Sequence, residues 1–88
     1  MTTTARRRSP PRFAICVDNS EYPASLKLHK VYRVLADKEV ERHGDLRIVD
    51  ESGEDYLYPA DYFVLVDFSP STVRALNKSY ARSMQRAG

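Results

Sequence analysis

Leu57-Tyr58-Pro59-Ala60-Asp61-Tyr62-Phe63-Val64-Leu65-Val66, entered from Leu46-Arg47-Ile48-Val49-Asp50 through Glu51-Ser52-Gly53-Glu54, is the stretch on which the fold of this chain turns. Its two flanks are short and rich in β-branched and aromatic residues, and a glycine lies between them. That pattern predicts a tight hairpin, residues 46–50 pairing with 55–58 across Ser52-Gly53. Gly53 supplies the positive φ that such a turn requires. Pro59 has no N–H to donate to a ladder, so the strand stops there or sits at an edge. One short turn then leads into a last apolar strand. Hairpin, proline stop, turn and closing strand together predict a small closed β-barrel.

Working upstream, Phe13, Ile15 and Val17 fall on one face of a short apolar run, which predicts a strand. Residues 18–25 are dense in turn formers and read as a long loop. Leu26 and Leu28 alternate with Lys27 and His29, as in a strand with one wet face. Residues 31–35 form another strand, and residues 36–42 hold one helical turn with Asp37 as its cap. His43-Gly44-Asp45 marks the exit turn.

Downstream the period changes. Ser69 before Pro70 is a helix start, a capping hydroxyl followed by proline at the first helical position. Val73, Leu76, Tyr80 and Met84 then recur three and four apart as one apolar stripe. Arg74, Lys78, Arg82 and Arg86 recur every four residues on the opposite face. The expected fold is therefore mainly all-β: a five-stranded barrel over residues 13–68, an amphipathic C-terminal helix over 69–88, and a basic tail over 1–12 without apolar periodicity, expected to be disordered.

The residues also resemble the SH3-like barrels. The C-terminal end of such domains runs apolar-apolar-Pro-x-x-Tyr-apolar, and residues 57–63 follow it in order and spacing. Ala14-Ile15 corresponds to the first strand, and residues 18–25 stand where that family has its long RT loop. The resemblance covers residues 13–67 and implies a five-stranded SH3-like barrel. It implies family groove positions only at Pro59 and Tyr62. The chain has no tryptophan, and Cys16-Val17 stands where the first strand of the family usually offers an aromatic, so the aromatic wall that grips polyproline is not reproduced. Residues 50–59 are also similar to an Asp-Glu-Ser-Gly-Glu-Asp-Tyr-Leu-Tyr-Pro segment of small uncharacterised bacterial proteins, a likeness that brings no function with it.

Eighty-eight residues allow one domain. A chain of this size removes roughly 60% of its unfolded surface from water, leaving little mass for a deep cavity beside a packed core. With no Ser/His/Asp order, no P-loop and glycine only at positions 44, 53 and 88, the chain is expected not to be an enzyme and to need no cofactor. His29 and His43 lack metal-ligand spacing, and the acidic turn at 50–55 has Asp55 where an EF-hand needs glycine, so no metal is expected. The turn reads instead as a solvated acidic tip. A single cysteine, Cys16, excludes an internal disulfide, and no apolar run is long enough to span a bilayer. A cytoplasmic location is expected.

The net charge of +2 hides a segregation. Residues 1–12 carry Arg6, Arg7, Arg8 and Arg12 and no acid, and residues 69–88 carry four cations and no acid. All twelve acids lie between, against six bases. Two binding surfaces follow. Tyr56 and Tyr58 leave one face of their strand and, with Pro59 and Tyr62, form a candidate groove for a protein or peptide partner, tuned by the acids of the loop 18–21. Arg74, Lys78, Arg82 and Arg86, helped by the arginine tail, are candidate phosphate contacts for a nucleic acid. The leading expectation is a noncatalytic protein-binding module, and the alternative is a nucleic-acid-binding accessory protein. In the plainer readings the tyrosines cover the core and the basic helix face is simply solvated.

Overall fold

Short apolar strands that each end at a turn former have one stable solution, an antiparallel meander with one face dried by the core. The computed structural model describes the backbone of residues 12–87 and the side chains of residues 12–82. Five strands are present: β1 (Arg12–Cys16), β2 (Val31–Leu35), β3 (Asp45–Val49), β4 (Asp55–Pro59) and β5 (Phe63–Val66). They form one antiparallel sheet in the order β4-β3-β2-β1-β5. The meander runs from β1 to β4, and β5 then returns to the far side of β1. Two helices, α1 (Lys38–Arg42) and α2 (Pro70–Ala87), complete the architecture.

β4 and β5 are the outer strands and do not pair with one another. They nevertheless meet through side chains, since the rings of Tyr58 and Phe63 have centroids 6.3 Å apart. The reason lies in Pro59, which ends β4 and hands the chain to a 3₁₀ turn, Ala60–Tyr62, before β5 begins. The Ala60 N–H bonds the Gly44 carbonyl at 2.9 Å, tying that turn back to the start of β3.

Alternation assigns the two faces. Residues directly opposite in the register share a face, so Ala14 goes with Tyr32, Val34 with Ile48, Leu46 with Tyr58, and Cys16 with Phe63. All of these are buried, and Tyr62 and Leu26 join them in one cluster. The outer face carries Phe13, Ile15, Val31, Arg33, Leu35, Arg47 and Val49. Phe13 is only 1% exposed although it points away from the core cluster. α2 explains this. The Phe68 ring packs 5.7 Å from Phe13, and Tyr80 stacks on it at 6.1 Å with planes 14° apart. The Tyr80 hydroxyl donates to the Val31 carbonyl at 3.2 Å.

The apolar stripe is therefore the sheltered side of α2, with Val73, Leu76 and Tyr80 all half-buried, while Arg74, Lys78 and Arg82 face water. The side chains of Met84 and Arg86, and residues 1–11 of the basic tail, lie outside the described residues. Ser69 caps α2 as expected, its Oγ accepting from the Thr72 N–H at 3.3 Å. Asp37 likewise caps α1, accepting from Val40 at 3.2 Å.

Four expectations are revised. The sheet expected to close into a barrel is open, its outer strands β4 and β5 being unpaired with one another. Arg12, assigned to the tail, opens β1 and pairs opposite Val34. Residues 26–28 are not a strand: Leu26 takes the Tyr22 carbonyl at 3.0 Å and Lys27 takes the Tyr32 hydroxyl at 2.8 Å. Their alternation arises because Leu26 plugs the core while Leu28 stays half exposed. The acidic tip is not wholly solvated either, since Asp50 is 7% exposed.

Candidate functional site

The loop between β1 and β2 is long, and its own hydrogen bonds shape it. Ser20 N–H bonds Asp18 Oδ1 at 2.9 Å, Tyr22 N–H bonds the Asn19 carbonyl at 2.9 Å, and Asn19 Nδ2 reaches the Leu26 carbonyl at 2.9 Å. The loop is fastened to the 3₁₀ turn by Val17 N–H, which donates to the Tyr62 carbonyl at 2.8 Å. This brings Tyr22 onto the ring of Tyr58, edge to face at 5.0 Å and 82°, and within 6.1 Å of Tyr62. Such tilted aromatic pairs are favoured by the ring quadrupole.

Two further ties hold the hairpin against this loop. Asp50 Oδ1 accepts from the Ser52 N–H at 2.9 Å and from Ser52 Oγ at 2.6 Å, which organises the turn around Gly53. Its other oxygen accepts from the Tyr58 hydroxyl at 2.6 Å. Glu51 accepts from Lys30 at 2.6 Å and from the Tyr32 hydroxyl, and its N–H donates to the Ser25 carbonyl at 3.0 Å. Burial pushes the Asp50 and Glu51 carboxyls up, but these donors win and hold both below their ordinary range. Burial, reinforced by the bond to Asp50, pushes the Tyr58 phenol up to about 12. The Tyr32 phenol is raised by the same two causes, with Glu51 as the acceptor.

Of the four residues read as a groove, the structure brings two, Tyr58 and Tyr62, against one ring, that of Tyr22. Tyr58 and Tyr62 are 4% and 8% exposed, so they form the floor of a surface rather than its wall. Pro59 follows Tyr58 at the end of β4 and is half-buried. Tyr56 shares the strand face of Tyr58, as alternation requires, but lies nearer the hairpin end, stays half exposed, and donates to Glu54 at 3.2 Å. Its place is taken by Tyr22, 39% exposed, from the loop between β1 and β2. The signal was an aromatic between Glu21 and Pro23, in a segment with no strand or helix period to satisfy. Asp18 and Glu21 of the loop stand near Tyr62, and Asp61 precedes Tyr62 in the 3₁₀ turn. All three are exposed, and none forms an ion pair among the described residues. The phenol of Tyr62 is raised by its own burial and then by Glu21, so that carboxylate stands close to it.

The second surface is the basic face of α2. Arg74, Lys78 and Arg82 are exposed and make no ion pair among the described residues. Among the described residues no group of His, Cys, Asp and Glu is arranged to hold a metal ion, and no helix is long and apolar enough to cross a membrane. Comparison with family models, with curated proteins and with solved structures returns no significant match.

Proposed function

We propose that this chain is a noncatalytic, cytoplasmic protein-binding module of the SH3-like type, and that its binding surface is the patch of Tyr22, Tyr58, Pro59 and Tyr62. The strand order, with β5 returning beside β1 after a 3₁₀ turn, supports the SH3-like reading. The observation that carries the functional reading is the half-exposed ring of Tyr22 standing on Tyr58, with the carboxylates of Asp18 and Glu21 near Tyr62 and outside any ion pair among the described residues. Aromatic side chains give large contact area for little lost rotamer freedom. Carboxylates outside any ion pair select a cationic ligand and steer its approach. The partner chemistry is thus an extended peptide with an apolar residue or proline for the ring and a lysine or arginine for the rim.

Amide shift mapping with a set of such peptides tests this, with charge-reversed peptides as controls. Shifts confined to residues 18–22 and 59–62, and weakened about tenfold by Tyr22→Ala, are expected on the scale of a lost aromatic anchor. Shifts that avoid these residues overturn the proposal.

A second reading rests on the exposed cations of α2. Arg74, Lys78 and Arg82 on one helix face, with Arg86 four residues on, would neutralise successive phosphates of a nucleic acid. Fluorescence anisotropy with a random duplex at two salt concentrations decides it. Binding that ignores salt, or that survives neutralising the four cations together, ends this reading.

A further inference from the structure

On the far side of the sheet from the tyrosine patch, α2 and the β3–β4 hairpin leave a groove of about 550 Å³ over the outer face of β2. Its floor is apolar, made by Val31, Leu35, Val49 and the ring of Tyr80. In that floor stands Arg33, opposite Phe13 on one side and Val49 on the other. Its Nε is shut off from solvent and has no acceptor, and its guanidinium forms no ion pair among the described residues.

The other charges of the groove are already engaged. Glu51 is held by Lys30 and Tyr32, Asp55 by Arg47, and Asp50 by Ser52 and Tyr58. Arg33 is the groove's cation left without a partner among the described residues. A guanidinium whose Nε is shut off from water without an acceptor costs stability unless something pairs with it. Its fork of donors matches a carboxylate. The groove's volume falls in the range of small-molecule sites, which combine an apolar lining with one or two oriented polar groups.

We propose that this groove binds a small apolar carboxylic acid, its carboxylate on Arg33 and its hydrocarbon body against Val31, Leu35, Val49 and Tyr80. This site is independent of the tyrosine patch, and failure of either leaves the other standing.

The probe is 2-naphthylacetate, compared with the matched neutral 2-naphthylacetamide by amide shift mapping and calorimetry on the full chain. The acid shifts residues 31–35, 49 and 80 and binds about tenfold or more tightly than the amide, the scale of a charge-assisted hydrogen bond. Arg33→Gln abolishes that preference and melts no lower than the parent, because it removes an unsatisfied group. Arg33→Lys keeps part of the preference. Equal affinity for acid and amide, shifts confined to other residues, or undiminished preference in Arg33→Gln overturns the proposal. So does a peptide with a free C-terminal carboxylate that binds at these residues when the small acid does not.

Discussion

The hydroxyl of Tyr58 donates to Asp50 Oδ2 at 2.6 Å, across the mouth of the hairpin that both residues belong to. Asp50 starts the turn and Tyr58 ends on the core floor, so one bond couples turn geometry to core packing. Asp50 is also the buried charged residue of the described chain. A buried carboxylate persists only where donors meet its lone pairs, and here Ser52 and Tyr58 do so.

Tyr58→Phe keeps the ring and leaves Asp50 with one donor fewer. A hydrogen bond to a charged group in a buried setting contributes about 2 kcal/mol, and that loss is expected here. Urea unfolding checks it, with a lower midpoint at unchanged slope.

Stability depends on pH at both ends of the scale. The Asp50 and Glu51 carboxyls titrate lower when folded than when unfolded. Their contribution is complete above the unfolded values of about 4 and disappears as pH falls through the lower folded values. Tyr58 is raised, to about 12, so its contribution is complete below the unfolded value of about 10 and is lost between there and its folded pKa. Urea midpoints measured across pH are expected to fall below about pH 4 and again above about pH 9, where the raised Cys16 thiol adds to the alkaline loss. Tyr58→Phe flattens part of the alkaline fall.

Gly53 has φ +86, and a Cβ built there meets nothing within 4 Å. The cost of Gly53→Ala is therefore backbone strain alone, about 1 kcal/mol. A thermal melt should show a modest drop with native chemical shifts away from the turn. A loss several times larger would mean the turn governs more than its own geometry.

Tyr80 joins α2 to the sheet through its stack on Phe13 and its bond to the Val31 carbonyl. Tyr80→Ala uncovers a residue that is now 1% exposed, for a loss of about 2 kcal/mol. Tyr80→Phe keeps the stack and should lose less than half of that. Amide exchange read along α2 separates undocking of the helix from global unfolding.

Much of the fold is legible because it follows from local rules. The hairpin is written in Ser52-Gly53 and its apolar flanks, the strand stop in Pro59, and the helix start in Ser69-Pro70. Periods of two and of three to four separate strands from α2. The misreadings share one cause. Leu26 and Leu28 imitate a strand because a plug and an exposed loop residue happen to lie two apart. Arg12 resembles its basic neighbours until a partner strand appears opposite it.

The site was legible only in half. Tyr58, Pro59 and Tyr62 lie within five positions of one another and were read as one surface. Tyr22 reaches them across the whole meander, a contact that exists only once Val17 has bonded Tyr62 and turned the loop inward. Burial likewise settled what alternation left open. Tyr56 and Tyr58 share a strand face, yet one is half exposed and the other sealed. Nothing in the strand pattern of residues 31–35 sets Arg33 apart until α2 and the hairpin flank that face and its groove. Backbone preferences and side-chain period act over a few residues, and a single chain displays them. Which face is dried, and which charge is left unpaired, depends on residues dozens of positions away, and only the assembled sheet and helix bring those together.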